Sequence, residues 1–248
     1  MSPPHNPPTD QGGTSIDCLL FDLDGTLIDT TDLIFQSYQH ALGTLLGIQA
    51  TAEDLYLGYG RPLPEAFAAI LEWREVRRPP AEQAVLIEKL VAAYRAFNVA
   101  HHDELAREFP GTGAVLDELR RRGYPLGLVT SKSRGIAERG LRLARLAECF
   151  DTLVFMEDST RHKPHPEPIW TALGRLGFQE QPQRALYVGD SIHDLRAGRA
   201  AGVRTAGALW GPFPPESLIA EGPDLLLSSL ADLLQLCPGP SAPAPAPR

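Results

Sequence analysis

The amino-acid sequence predicts an α/β fold, a doubly wound parallel sheet with an all-helical segment inserted near its start. Short apolar runs alternate with amphipathic stretches over most of the chain, while residues 31–106 show helical signatures and little strand character. Three of the apolar runs also end in small or acidic polar residues, which is where a parallel sheet collects functional groups beyond the carboxyl ends of its strands.

Residues 18–23 are the first apolar run, a buried strand leading into Asp24-Gly25-Thr26. The inserted segment holds helices at 33–46, 52–57, 65–73 and 81–98. Thr51, with Asp54 three residues on, has the form of a helix N-cap, and Pro64 stands at an early helical position that needs no amide hydrogen. A helix at 113–122, stopped by Gly123, precedes a strand at 126–130 that ends at Ser131-Lys132. Helices at 134–143 and 167–176 follow, the latter stopped by Gly177; a strand at 185–188 then ends at Gly189-Asp190. A helix at 193–201, stopped by Gly202, and strands at 203–208 and 225–227 complete the pattern, glycine being a common residue just past a helix end.

The length of 248 residues accommodates one large core and an inserted unit. With 43% apolar and 22% charged residues, the composition excludes disordered, collagenous and membrane classes. The 23 basic residues against 31 acidic ones leave a net charge of −8, which speaks against a nucleic-acid partner because phosphate backbones demand clustered positive charge. Cys18, Cys149 and Cys237 are widely spaced, so neither a zinc knuckle nor a disulfide framework is signalled. The Pro- and Gly-biased ends, 1–14 and 237–248, are expected to be flexible tails. No basic-then-apolar leader and no run of membrane-spanning length is present, so a cytoplasmic protein with no membrane partner is expected.

Four loops carry the candidate chemistry. Asp22 and Asp24 close the first strand, and strand geometry continued to that point would set them on one face. One of two such carboxylates can attack phosphorus while the other handles a proton, provided a divalent cation offsets their repulsion. Gly25 permits a tight turn and close approach of backbone to phosphate. Thr130 and Ser131 bring hydroxyls and free backbone amides to the same sheet edge, where they suit phosphate oxygens. Lys163, stiffened by the prolines of His162-Lys163-Pro164-His165-Pro166-Glu167-Pro168, is placed to neutralise phosphate and attacking carboxylate together. Asp190 and Asp194, four residues apart, would share one face of a helix starting near Asp190, and hard oxygens from Asp22 and Asp190 suit Mg2+. Taken singly, each loop also reads as an ordinary acidic turn, helix cap or solvated lysine.

The order DFDLDGT, VTS, HKP and GDSIHD resembles the motifs of the haloacid dehalogenase-like (HAD) hydrolase superfamily, over essentially residues 17–236. That resemblance implies a Rossmann-like core at 15–30 and 107–236 and a mobile helical cap at 31–106. It implies Asp22 as the nucleophile that forms an aspartyl-phosphate, with Asp24 first protonating the leaving group and then activating water. It places Thr130 and Ser131 on the phosphoryl oxygens, Lys163 as a charge clamp, and Asp22, the backbone carbonyl of Asp24 and Asp190 on Mg2+. Asp194 would support the metal shell or Lys163.

Within the superfamily the chain is similar to phosphoglycolate phosphatases, and more closely to inorganic pyrophosphatases. The similarity lies in YRAFNVAHHDEL at 94–105, Asp29-Thr30, Gly140-Leu141 and Thr205-Ala206-Gly207. It implies pyrophosphate as substrate, with phosphoglycolate or another small phosphomonoester as the alternative, and a monomer or homodimer as the working form. Arg61, in a glycine-flanked loop of the insert, is a candidate substrate contact because guanidinium matches phosphate and carboxylate geometry. His101 and His102 are read as capping or surface hydrogen-bonding residues, and His193 as a variable filler. The other readings are a phosphoaccepting regulatory domain, a noncatalytic phosphoanion-binding protein and a sugar-phosphate mutase.

Overall fold

The computed structural model describes residues 15–238, so the tails expected at 1–14 and beyond 238 lie outside the described residues. Cys237, assigned to a tail by composition, is fully buried, and its carbonyl accepts a hydrogen bond from Arg122 Nη1 at 2.7 Å. All three cysteines are free and buried, in keeping with packing roles.

The chain enters through β1 (Cys18–Phe21), turns into the two-residue β2 (Ile28–Asp29) and leaves the sheet layer for α1 (Thr31–Leu46), α2 (Ala52–Gly58), α3 (Leu63–Trp73) and α4 (Pro80–Leu105). It returns through β3 (Arg107–Glu108), which pairs antiparallel with β2, so both crossings to the helical segment lie side by side. Then come α5 (Thr112–Arg121), β4 (Leu126–Val129), α6 (Arg134–Leu143), β5 (Thr152–Val154), α7 (Glu167–Leu176), β6 (Ala185–Gly189), α8 (Ile192–Ala201), β7 (Arg204–Ala208), α9 (Pro215–Ala220), β8 (Leu225–Leu227) and α10 (Leu233–Leu236).

Six strands form one parallel sheet in the order β5-β4-β1-β6-β7-β8. The chain runs outward from β1 to β4 and β5, then crosses to β6 and runs out the other way. The crevice at the carboxyl end of β1 is therefore the topological switch point. Side chains alternate across the sheet: Leu19 and Phe21 of β1 join one core with Leu126, Leu128, Leu186 and Val188, while Cys18 and Leu20 join Ile169, Leu173, Ala185 and Tyr187 on the other face. Burial on both faces is why these strands read as continuous apolar runs. A third cluster, centred on Tyr38, Phe67, Ile70 and Leu90, lies among α1–α4 and includes Leu195, Phe213 and Leu218 from beyond the insert. Each fully buried Leu or Phe of this kind contributes roughly 1.5–3 kcal/mol.

Thr51 and Asp54 form a capping box at the start of α2, as their spacing predicts, and Arg74 pairs with Asp54 from the end of α3. Three readings are corrected. Helix α4 runs to Leu105 instead of stopping at 98, because its buried face continues from Leu90 and Tyr94 through Asn98 and His102, polar residues that end the apolar signal but not the helix. Strand β5, three residues at the sheet edge, has no expected counterpart. Helix α8 begins at Ile192 with Ser191 as its N-cap, so Asp190 precedes the helix and does not share a helical face with Asp194. Among the described residues no helix is long and apolar enough to cross a membrane.

Candidate active site

Strand pairing extends one residue past β1, through the Asp22 amide to the Val188 carbonyl at 2.9 Å, and then stops. Leu23 accepts from the amides of Leu27 and Ile28 at 2.9 and 3.0 Å, folding Asp24-Gly25-Thr26 into a tight turn. The shared strand face expected for Asp22 and Asp24 is therefore absent. Both still line one cavity, together with Arg61, Thr130, Ser131, Lys132 and Lys163. Each carboxylate has its own lysine: Lys163 Nζ donates to Asp22 Oδ1 at 2.8 Å, and Lys132 Nζ to Asp24 Oδ1 at 2.5 Å. Thr30 Oγ1 also donates to Asp24 Oδ1, at 2.7 Å.

Lys163, 2% exposed, also donates to Asp194 Oδ1 at 2.6 Å and to the Tyr187 hydroxyl at 3.0 Å, and that hydroxyl donates to Asp194 Oδ1 at 2.9 Å. Burial opposes the ammonium charge, but Asp194 and Asp22 outweigh it and hold Lys163 well above the usual lysine range. Asp194 is itself fixed by the capping box of α8, its Oδ2 accepting from the Ser191 amide at 3.1 Å and hydroxyl at 2.5 Å. Burial pushes its carboxyl up, yet Lys163, Ser191 and Tyr187 bring it below the ordinary value.

Asp190 is fully buried and accepts from Thr26 Oγ1 at 2.8 Å through Oδ1, while its Oδ2 has no partner among the described residues. Burial first, then the charges of Asp194 and Asp22, raise its carboxyl well above the carboxylate range. Asp22 is raised to about 7, chiefly by burial, against the pull of Lys163. Oxygens of Asp22, Asp190 and Asp194 lie within 4.8 Å of one another. Three buried carboxylates around one ammonium leave a local excess of negative charge, and the unpartnered Asp190 Oδ2 is a vacant hard donor. An all-oxygen set of this kind fits a divalent cation.

Gly25 packs directly against that unpartnered oxygen. At φ +78° it adopts a left-handed conformation, and a Cβ there would fall 2.3 Å from Asp190 Oδ2 and 2.6 Å from the Tyr59 hydroxyl. It is buried in the tight turn expected of it, packed against the Asp190 carboxylate. Thr130 and Ser131 do line the cavity, but their amides are not all free: that of Thr130 donates to the Val154 carbonyl at 3.0 Å, and that of Lys132 to Thr130 Oγ1 at 3.1 Å. The Ser131 hydroxyl is buried without a partner among the described residues.

Arg61 reaches the cavity from the loop after α2, and its Nε donates to His193 Nε2 at 3.2 Å. His193, read as a filler, is 3% exposed; burial and the nearby Arg61 lower it to about 4, so it accepts as a neutral imidazole. His101 is half-buried, its ring tilted against Phe97 with the centroids 4.2 Å apart. His102, expected at the surface, is fully buried, with Nδ1 3.0 Å from Asp103. Neither histidine lines the cavity. Lys132, Tyr59, Tyr187 and His193 escaped the sequence reading. Lys132 directly follows Thr130-Ser131, and Tyr187 is the one hydroxyl in an otherwise aliphatic strand, so both had a visible signal.

Residues 19–208 match the profile of the haloacid dehalogenase-like hydrolases. The chain is 41% identical over 221 residues to pyrophosphatase PpaX of Bacillus velezensis, covering 89% of this chain and 96% of that protein. It is 39% identical to pyrophosphatase PpaX of Anoxybacillus flavithermus, covering 90% and 97%. Its fold matches a haloacid dehalogenase-like hydrolase family protein from Streptococcus pneumoniae with a TM-score of 0.73 at 25% identity, over 89% of this chain and 97% of the other.

Proposed function

The chain belongs to the haloacid dehalogenase-like hydrolase family, and from that premise we propose that it is a Mg2+-dependent inorganic pyrophosphatase working through a phosphoryl group carried on Asp22. The observation that carries this reading is the pair of cavity carboxylates, each held by its own lysine. The similarity to the two pyrophosphatases, over nearly their whole length, supports the choice of substrate.

In this reading Asp22 is the nucleophile, aligned by Lys163, which also offsets the charge that builds up as carboxylate meets phosphate. Thr130 and Ser131 hold the transferred phosphoryl oxygens. Asp24 faces the bridging oxygen and afterwards takes the proton of the water that hydrolyses the acyl-phosphate. Asp22, the Asp24 carbonyl and Asp190 would hold Mg2+, with Asp194 behind them gripping Lys163. The cation, when bound, offsets the carboxylate charge and polarises the phosphoryl group. Helices α1–α4, at 31–106, act as a cap over the core at 15–30 and 107–236, bringing Arg61 to the leaving group and excluding water.

A kcat/KM comparison of pyrophosphate, phosphoglycolate and sugar phosphates with Mg2+ tests the reading; pyrophosphate should lead, and a preference for either alternative sinks it. Arg61→Ala should lower kcat/KM for pyrophosphate about 10- to 100-fold, and less for p-nitrophenyl phosphate. Equal losses on both would make Arg61 structural only.

Metal dependence should also show in stability. Because the Asp22 carboxyl lies near 7 when folded against an ordinary 3.8, the folded state binds more protons between those values than the unfolded chain. This carboxyl therefore contributes stability that the metal-free protein loses as pH rises from about 4 to about 7, and a cation on the ionised carboxylates offsets that loss. Thermal melts should show a larger gain from Mg2+ at about pH 7.5 than at about pH 5. A gain independent of pH would refute the metal assignment.

A further inference from the structure

Lys132 is a cation in the cavity to which the phosphoryl transfer above gives no task beyond holding Asp24. Its backbone is pinned on both sides, the amide donating to Thr130 Oγ1 and the carbonyl accepting from the Met156 amide, each at 3.1 Å. The end of β4 thus delivers its side chain to Asp24, where Nζ sits 2.5 Å from Oδ1. Both side chains are largely withdrawn from water, at 14% and 16% exposed, which is unlike a surface ion pair.

Charge around the cavity points the same way. Its lining has two carboxylates, Asp22 and Asp24, and four cations, Arg61, Arg95, Lys132 and Lys163. Lys163 is taken up by Asp22 and Asp194, which leaves Arg61, Arg95 and Lys132 as the other cations of the lining, of which Lys132 is the one paired with Asp24, in a chain of net charge −8. An alkoxide leaving group needs a proton, which Asp24 alone can supply. A departing phosphate instead spreads its charge over several oxygens and needs cations.

We propose that Lys132 is a substrate-binding residue that holds the departing phosphate of inorganic pyrophosphate and so favours a phosphoanhydride over an alkyl phosphate. This rests on the reading of the cavity as a pyrophosphate site. In the step concerned, an Asp22 oxygen forms a bond to one phosphorus while the bond from that phosphorus to the bridging oxygen breaks. The electron pair stays on the bridging oxygen, which leaves as phosphate against Lys132. Water then attacks the phosphorus on Asp22 and the bond from that phosphorus to the Asp22 oxygen breaks, one water proton passing to Asp24 and from there to the departed phosphate; both carboxylates are regenerated, and one pyrophosphate and one water have become two phosphates.

The test uses the full-length protein and its Lys132→Met, Lys132→Gln and Lys132→Arg variants with Mg2+, assayed on pyrophosphate, phosphoglycolate and p-nitrophenyl phosphate. Inhibition by methylenediphosphonate gives a binding readout. Lys132→Met and Lys132→Gln should lose about 100-fold in kcat/KM for pyrophosphate, at least about tenfold more than for the other two substrates, and should bind methylenediphosphonate about tenfold more weakly. Lys132→Arg should recover part of both. Equal losses on all three substrates with unchanged inhibition would overturn the proposal and leave Lys132 as a positioning residue for Asp24, and a greater loss on phosphoglycolate would overturn it as well. A native protein that does not turn over pyrophosphate would instead overturn the substrate reading, and this proposal with it.

Discussion

Asp22→Asn is expected to lower kcat on pyrophosphate and on p-nitrophenyl phosphate alike, by about 10^4-fold or more, because an amide oxygen cannot form the acyl-phosphate. The fold should survive. Asp22 is buried, with its carboxyl raised to about 7 chiefly by that burial, so in the metal-free protein at neutral pH the carboxylate is a cost that the neutral amide removes. Lys163 keeps Asp194 as a partner at 2.6 Å. The metal-free variant should therefore melt at or above the temperature of the native protein while being inactive. Undiminished turnover would remove Asp22 from the nucleophile's role, whereas a collapse in melting temperature would show that the carboxylate is structural.

Lys163→Met should damage both activity and stability. The lysine is the one cation in direct contact with Asp22 and Asp194 among the described residues, and its removal leaves two buried carboxylates facing each other. Breaking one side of a buried ion pair costs about 3–5 kcal/mol, and loss of the charge clamp should lower kcat by about 10^3-fold. The sign of the pH dependence follows from Asp194, whose carboxyl the lysine helps to hold below its ordinary value. That stabilisation is present above the unfolded pKa and lost as pH falls through the folded one. In the variant, the orphaned carboxylates take up protons as the solution is acidified. Its deficit in denaturant unfolding should therefore be larger at about pH 8 than at about pH 5. A constant deficit would mean that packing, not charge, is what Lys163 supplies.

Much of this site was legible because its residues stand at strand ends. Asp22, Thr130 and Asp190 each follow an apolar run, and a parallel sheet must bring such positions to one edge. What strand periodicity did not convey was the conformation just past each strand. The turn at Asp24-Gly25-Thr26 directs Asp24 to Lys132, and the N-cap at Ser191 leaves Asp190 outside α8. The first depends on local backbone hydrogen bonds to the Leu23 carbonyl, the second on bonds between backbone and side chain in the Ser191–Asp194 capping box. The extent of α4 was hidden for another reason: Asn98 and His102 occupy its buried face, and polarity at those positions reads as the end of an amphipathic pattern. The contact of Arg61 with His193 joins residues far apart in sequence, and such a pairing leaves no trace in periodicity.

The position of β1 at the middle of the sheet governs how the chain can assemble during synthesis. Leu19 pairs with neighbours at Leu126 and Leu186, so β1 is made well before either of its partners and must wait until α1–α4 have been synthesised before either flank is covered. Helices α1–α4 are contiguous and carry a largely local core of their own, so they can consolidate in that interval. An apolar strand held open in this way is the segment most exposed to wrong pairing in nascent chains, and slower translation or a chaperone that shields β1 should raise the yield of active protein.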